Sequence, residues 1–319
     1  MTRQLTFAAC AMTVMATPGF ALTCDTGFRA FIHDAGETCI PEMPERIASL
    51  RDDSVTTPLM DMGAPVFATI TREADGDGPR WVRGAVDIFG QEAVDAAGLI
   101  DLGGHNPPDV EAVAAADPDL IILRPYQIDA LEQLQTIAPA VVIPDDMSFL
   151  DHMAWLADAA GMETTFDAEL AVYNARIATA KERIGAPGDI VVSRFDMWED
   201  GLWYYPNWGA IDQVINDIGF AKPTIQAEET EGFNGLSVER IQEFDGDIML
   251  ASIAPRWGQT VPMLTAQWDS IAPFWRELSG VSSGNLFWYE RDVMVGYTFT
   301  SLHRSIDLLT TVTAGRAIN

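Results

Sequence analysis

The amino-acid sequence predicts an α/β fold of two Rossmann-like lobes with mostly parallel sheets, joined by one long interlobe helix. Three observations support this prediction. Short apolar runs alternate with helix-periodic stretches, which is typical of a parallel sheet with helices on its faces. A long helix-periodic stretch, residues 165–184, separates the two halves of the chain. A segment of the first half also returns in the second half without a gap.

The first half of the chain alternates strands and helices. Residues 120–123 form a continuous apolar run, as expected of a strand that is buried on both faces. Ser148 is a typical N-cap, and the helix that it begins is stopped at Gly161. The predicted strands are 46–50, 65–70, 120–123 and 141–143, and the predicted helices are 54–62, 110–116, 131–137 and 148–160.

The stretch between the halves predicts the linking helix. Its apolar positions recur at three and four residues, as one helical face requires. These positions are Leu170, Tyr173, Ile177, Ala180 and Ile184. About 20 residues of helix span roughly 30 Å, which is long enough to cross a whole protein. We therefore expect an N-terminal lobe (22–162), a linking helix (163–185) and a C-terminal lobe (186–319).

The alternation restarts after the linking helix. Asp200-Gly201 lies between two aromatic-rich runs and is a strong signal for a hairpin turn. The predicted strands of this half are 190–194, 248–251 and 286–289, and the predicted helices are 210–218, 238–244 and 300–313.

An internal repeat is the most informative feature of the sequence. Residues 109–123 align with residues 237–251 without a gap, and their apolar positions coincide. The identical pairs are Val110 and Val238, Glu111 and Glu239, Asp117 and Asp245, and Asp119 and Asp247. Helix-turn-strand units resemble one another in any protein, but four identities favour a duplication that produced two similar lobes.

The charge balance is strongly acidic. The 319 residues include 19 Lys and Arg against 47 Asp and Glu, a formal net charge of -28. Such a surface repels nucleic acid and anionic lipid, so both are excluded as bulk partners. An anionic ligand would need a local pocket lined with arginine. No segment is apolar for long enough to predict membrane insertion.

The first 21 residues are typical of an export signal. Arg3 provides the positive start, and the apolar run 5–16 is too short to span a bilayer. Small residues precede the cleavage that we expect after Ala21. The mature protein is therefore expected in the periplasm.

Two cysteines remain after removal of the signal, Cys24 and Cys39. Two cysteines close together in an exported chain predict one disulfide that closes a short loop. Lipidation of Cys24 is the less favoured alternative, because Leu22 and Thr23 are unsuitable residues before a lipidated cysteine.

Residues that would carry catalysis are sparse. None of the histidines stands in a metal-binding pair, and the sequence has neither a nucleophile elbow nor a phosphate-binding loop. Adjacent carboxylates such as Asp52-Asp53 are interpreted as solvated surface. The sequence thus predicts no enzyme, no protein-held metal and no cofactor. An exported hydrolase that uses His105 or His303 is the alternative from another class.

Arginine and aromatic residues follow the predicted strands. In open α/β sheets, ligands bind beyond the carboxyl ends of the strands. Guanidinium groups suit carboxylate or catecholate oxygens, and aromatic rings provide flat walls for a large chelate. The predicted ligand-binding residues are Arg83, Arg124, Tyr126, Arg194, Trp198, Trp208, Arg256 and Trp257.

Several of these segments resemble a known family. Residues 83–85, 109–111 and 117–123 are similar to motifs of the periplasmic binding proteins of iron-siderophore ABC importers, of the type with two lobes and one interlobe helix. The resemblance covers essentially the whole mature chain. It implies that Glu111 and Glu239 dock onto arginines of the importer permease.

The resemblance implies a monomeric protein that captures a ferric siderophore, or a similar ferric chelate, and delivers it to an ABC importer. Iron is then present only within the bound chelate. Haem and cobalamin are alternative cargoes for the same fold. The sequence leaves open whether the chelator is of the catecholate, hydroxamate or citrate type.

Overall fold

The computed structural model of the protein describes residues 22–73 and 80–315, so the predicted export signal lies outside the described residues. The strands are β1 (Phe28–His33), β2 (Gly36–Pro41), β3 (Ile47–Ser49), β4 (Val66–Thr69), β5 (Ile100–Asp101), β6 (Leu120–Leu123), β7 (Ala140–Val142), β8 (Val192–Arg194), β9 (Asp196–Trp198), β10 (Gly201–Tyr204), β11 (Phe233–Leu236), β12 (Ile248–Ile253) and β13 (Leu286–Glu290).

The α-helices are α1 (Thr57–Asp61), α2 (Ala85–Phe89), α3 (Gln91–Ala97), α4 (Val110–Ala116), α5 (Leu131–Leu134), α6 (Phe149–Ala160), α7 (Glu163–Ile184), α8 (Gly209–Ile218), α9 (Thr224–Ala227), α10 (Val261–Ile271), α11 (Ser279–Ser282), α12 (Arg291–Met294) and α13 (Phe299–Thr313). Short 3-10 segments lie at Pro125–Ala130, Pro187–Asp189, Val238–Phe244, Pro255–Trp257 and Pro273–Glu277, and a π-helical turn at Asp52–Thr56.

The N-terminal lobe is built on a five-stranded parallel sheet with the order β5-β4-β3-β6-β7. All four residues of β6 are buried, which confirms the prediction from its apolar run. Ser148 caps α6 by accepting a hydrogen bond from the Asp151 N–H, and Gly161 ends the helix, as predicted. The helix expected at 131–137 is shorter, since α5 ends at Leu134.

The C-terminal lobe contains two three-stranded sheets. Strands β13, β12 and β8 form a parallel sheet, and β11, β10 and β9 form an antiparallel one. The predicted hairpin turn is confirmed between β9 and β10. Gly201 has a φ of 131°, and a side chain there would collide with the backbone oxygen of Leu236. The turn therefore requires glycine.

The two copies of the internal repeat occupy equivalent places, because each ends in an inner strand, β6 or β12. In the first copy, Asp119 accepts hydrogen bonds from the Glu45 and Arg46 N–H groups at 2.7 and 3.0 Å. In the second, Asp247 accepts one from the Val191 N–H at 2.7 Å. Each carboxylate thus fixes the residues just before the first strand of its lobe's parallel sheet, β3 or β8, which supports duplication.

The helices of the two copies differ. Asp109 caps α4 by accepting a hydrogen bond from the Ala112 N–H at 2.9 Å. Ser237 makes no equivalent side-chain bond, and Val238–Phe244 is a 3-10 helix. The predicted helix at 238–244 is therefore confirmed in its bounds, whereas the cap expected for it is absent and its geometry is 3-10.

The linking helix α7 runs from Glu163 to Ile184 and buries one face, with Phe166, Tyr173 and Ile177 in the core. It packs beside α13. One continuous hydrophobic cluster extends through these helices from the N-terminal sheet to the C-terminal sheet. Because the lobes share a core, only limited movement of one lobe against the other is expected.

The N-terminal hairpin of β1 and β2 is covalently closed. Cys24 and Cys39 form a disulfide, as the sequence predicted. Among the described residues, no helix has the length and apolar character needed to cross a membrane.

Candidate ligand-binding site

The central cavity lies between the lobes, beyond the carboxyl ends of strands from both parallel sheets, and has a volume of about 310 Å³. The N-terminal lobe contributes the segments after β3, β6 and β7. The C-terminal lobe contributes the start of α8, α12 and the segment after α12. The charged and aromatic residues that line the central cavity are Arg51, Asp53, Arg83, Arg124, Tyr126, Asp145, His152, Trp208, Asp292 and Tyr297.

The segment after β3 supplies a charged network that the sequence reasoning missed. Arg51 binds both carboxylate oxygens of Asp53, at 2.6 and 3.0 Å. Asp52 is fully buried and receives two hydrogen bonds from Arg72, at 2.6 and 2.8 Å. The interpretation of Asp52-Asp53 as solvated surface was therefore wrong, because both carboxylates are held by arginines inside the lobe.

Arg83, one of the predicted ligand-binding residues, lines the cavity and bridges the lobes. Its Nε donates to the Asp292 Oδ1 at 2.9 Å, and its Nη1 lies 3.4 Å from the Asp53 Oδ2. Burial alone would raise the pKa of Asp53, but the charges of Arg51, Arg72 and Arg83 outweigh burial and lower it. Asp53 therefore stays ionised and anchors the arginines around it.

Arg124 and Tyr126 follow β6 and also line the cavity. The Arg124 Nη2 donates to the Asp145 Oδ1 at 2.6 Å, and Asp145 itself is 58% exposed. Tyr126 is 44% exposed, and its hydroxyl lies 3.4 Å from the Arg51 Nη1. Both predicted residues thus present polar groups to the interlobe space.

An aromatic wall that the sequence reasoning missed closes one side of the cavity. Tyr297 stacks on Phe149 with ring centroids 4.8 Å apart, and its ring lies 5.1 Å from that of His152. Burial lowers the pKa of His152 to about 4, so its imidazole is neutral at pH 7. The His152 Nε2 lies 2.6 Å from the Ser54 carbonyl oxygen, so this nitrogen is engaged by the π-helical turn Asp52–Thr56.

A side cavity of about 230 Å³ adjoins the central one and shares Arg83 and Trp208 with it. Three predicted tryptophans border it. The complete lining is Arg83, Asp196, Trp198, Trp203, Trp208, Trp257 and Arg291. Partly exposed tryptophans concentrated in one concave surface are typical of ligand contact.

Arg256 and Trp257 lie at the rim of the interlobe cleft. A wider cavity of about 910 Å³ opens there between the lobes. The Arg256 Nη2 binds the Asp87 Oδ1 of the N-terminal lobe at 2.9 Å. Its guanidinium also lies 5.0 Å from the Trp81 ring, which contacts Trp257 edge-on. The structure thus brings Arg256 to the interlobe gap, although it does not line the central cavity.

Arg194 is the predicted ligand contact that the structure places elsewhere. Its side chain is 2% exposed and binds both oxygens of Asp212, at 2.9 and 2.7 Å. It also donates to the Tyr205 carbonyl and lies 5.3 Å from the Trp208 ring. A buried, ion-paired guanidinium beneath the cleft wall supports Trp208, so the prediction of direct contact is corrected.

The remaining candidates lie outside the cavities. Glu111 and Glu239 are both exposed in the first turn of equivalent helices. The His303 Nε2 is 3.9 Å from Glu169, at the packing of α13 on α7. His105 meets Tyr126 edge-on and does not line the central cavity. Within residues 22–73 and 80–315, no group of three or more metal-ligand side chains could hold an ion.

Comparisons with known proteins agree with this architecture. The profile of the periplasmic binding protein family matches residues 80–262. The iron(3+)-hydroxamate-binding protein YxeB of Bacillus subtilis is 24% identical over 92% of this chain and 87% of its own length. The ferric enterobactin-binding periplasmic protein FepB of Escherichia coli is 30% identical over 62% of this chain and 63% of its own length.

Solved structures show the same fold. Staphylococcus aureus SirA complexed with staphyloferrin B has a TM-score of 0.71 at 19% identity, covering 89% of this chain and 98% of that protein. FhuD2 of Staphylococcus aureus with bound ferrioxamine B has a TM-score of 0.67 at 21% identity, covering 85% and 98%. The two-lobe α/β fold predicted from the sequence is confirmed.

Proposed function

Because the chain belongs to the periplasmic binding protein family, we propose that it captures a ferric siderophore between its lobes and delivers it to an ABC importer. The observation that carries the proposal is the interlobe cleft itself. Arginines and partly exposed aromatic residues from both lobes converge there, beyond the carboxyl ends of both parallel sheets. The relatives named above bind iron-loaded organic chelates, which supports this cargo.

The proposed role is binding without chemical change. The charged residues of the cleft are engaged with one another. With its pKa lowered to about 4 and its Nε2 in contact with the Ser54 carbonyl oxygen, His152 is only a weak base for a ligand proton. The hydrolase alternative needs His105 or His303 beside a nucleophile, and neither lines the central cavity. Haem is the second candidate cargo, because the two tyrosines of the cavity, Tyr126 and Tyr297, are potential ligands of haem iron.

A periplasmic location agrees with the disulfide, because such bonds persist in oxidising compartments. The Cys24 sulfur is bonded to Cys39, which argues against a lipid on the same sulfur. This supports a soluble protein released after signal cleavage near Ala21.

A binding titration tests the cargo. Purified protein is titrated with ferric siderophores, haem and cobalamin while tryptophan emission is recorded. Ferric chelates should quench the emission saturably, because the tryptophans Trp198, Trp208 and Trp257 border the cleft. A Soret band on mixing with haem, without quenching by any ferric chelate, would replace the siderophore with haem as cargo.

We propose that Glu111 and Glu239 contact the permease. Exchanging both for lysine should abolish iron-chelate uptake by cells while leaving the affinity of the purified protein unchanged, since both are exposed and outside the cavities. The matched control replaces two other exposed glutamates, Glu182 and Glu277, with lysine, and this variant should retain uptake. Weakened chelate binding in the first double variant would refute the docking role.

A further inference from the structure

Every arginine of the central cavity is paired with a carboxylate that lines the same cavity. The pairs are Arg51 with Asp53 at 2.6 Å, Arg83 with Asp292 at 2.9 Å, and Arg124 with Asp145 at 2.6 Å. With His152 neutral, the formal charge of the described lining residues is balanced. The expectation of a cationic pocket that offsets an anionic ligand is therefore not met in the central cavity.

Two of the three carboxylates are fixed in place. Asp53 accepts hydrogen bonds from Arg51, Arg72 and Arg83. Asp292 is 5% exposed at its side chain and holds Arg83 across the lobes. An anionic ligand that drew Arg51 and Arg83 away would leave the buried Asp292 without its ion-pair partner and Asp53 with Arg72 alone, both beside a further negative charge. Both consequences oppose binding of an anion.

The third pair is looser. Asp145 is 58% exposed and binds Arg124 through a single guanidinium nitrogen. Water can solvate Asp145 when Arg124 turns to a ligand, so Arg124 can reach a ligand oxygen at little cost. The central cavity thus offers one adaptable cation among fixed ion pairs.

The side cavity leads to the same conclusion. It adds one residue of each sign, Arg291 and Asp196, and its remaining walls include Trp198, Trp203 and Trp257. Indole faces favour apolar ligand surface and do not solvate anions. A ligand that fills both cavities therefore meets apolar walls and balanced charge.

Building on the proposed function, we infer that the cleft selects a ferric chelate of little or no net charge. Three hydroxamate groups, each with a single negative charge, neutralise trivalent iron. Three catecholate groups, each with a double negative charge, leave the complex a trianion. The trihydroxamate class therefore fits, with Arg124 donating to its outward oxygens.

The test compares two synthetic probes, a neutral ferric trihydroxamate and a trianionic ferric tricatecholamide. Dissociation constants are measured by tryptophan quenching for the wild type and for Asp145→Asn, which removes one exposed negative charge from the lining. Asp146→Asn is the matched control, because this exposed neighbour has the same charge but does not line the cavity.

The wild type should bind the neutral probe at least about tenfold more tightly than the trianion. Asp145→Asn should reduce the ratio of the two dissociation constants by at least about threefold. Asp146→Asn should leave this ratio within about twofold of the wild-type value. A wild-type preference for the trianion, or an unchanged ratio in Asp145→Asn, would overturn the inference and leave the proposed function standing. If the folded protein binds neither probe but binds another ferric siderophore in the titration proposed above, the inference fails alone. If it binds no ferric siderophore at all, the proposed function fails, and the inference fails with it.

Discussion

The buried pair of Arg194 and Asp212 supports a quantitative prediction. The two side chains are 2% and 1% exposed and share two hydrogen bonds. Asp212→Ala would leave the guanidinium buried without a partner charge, which costs about 3–5 kcal/mol of unfolding free energy. Replacing both residues with apolar side chains, as in Arg194→Met with Asp212→Leu, removes the unpaired charge and should recover most of the loss.

Urea unfolding measured by circular dichroism is the assay. With a denaturant slope of about 3 kcal/mol/M, Asp212→Ala should lower the unfolding midpoint by about 1–1.7 M. Asp307→Ala is the control, because its ion pair with Arg176 is exposed and should leave the midpoint nearly unchanged. A loss below about 1 kcal/mol in Asp212→Ala would refute the structural role assigned to Arg194.

Three further predictions concern His152, Cys39 and Trp208. Burial lowers the pKa of His152 from 6.5 to about 4, so the unfolded chain takes up a proton that the folded protein excludes. About 3 kcal/mol of stability, present above pH 6.5, should therefore be lost as the pH falls through 4, and His152→Gln should remove this loss in unfolding curves. Cys39→Ser should lower the unfolding free energy by about 3 kcal/mol, because the disulfide closes a loop with a sequence separation of 15; midpoints that are insensitive to reductant would contradict this. Trp208→Ala should weaken chelate binding about tenfold, because the Trp208 indole borders both cavities, and should leave the circular dichroism spectrum unchanged. An unaltered dissociation constant would exclude Trp208 from the site.

The fold could be predicted from the sequence because its signals are local. The apolar run of β6, the Ser148 cap and the periodicity of α7 each reflect the environment of a single element. The 3-10 geometry of the predicted helix Val238–Phe244 was not predicted, because its apolar pattern matches that of α4. A missing cap bond at Ser237 is a matter of geometry that residue type does not reveal.

The site was less predictable, because the partner of an arginine is set by tertiary contact. Arg124 follows a sheet strand and Arg194 ends one, so the same position led to the same prediction of ligand contact for both. Arg194 forms a buried ion pair with Asp212 on α8 and therefore lies in the core. Arg124 pairs with the exposed Asp145 and therefore lies at the cleft. Arg51 was overlooked although it directly follows a strand, and that position was the signal that could have identified it.

The most direct test of the account is the location of iron in crystals of the protein grown with a ferric trihydroxamate. Anomalous scattering at the iron absorption edge marks the metal independently of the chelator. We predict one peak within the central cavity, between Arg124 and the Tyr297 wall. A peak on an outer surface, or coordination of iron by protein side chains in place of the chelator, would contradict capture of an intact chelate between the lobes.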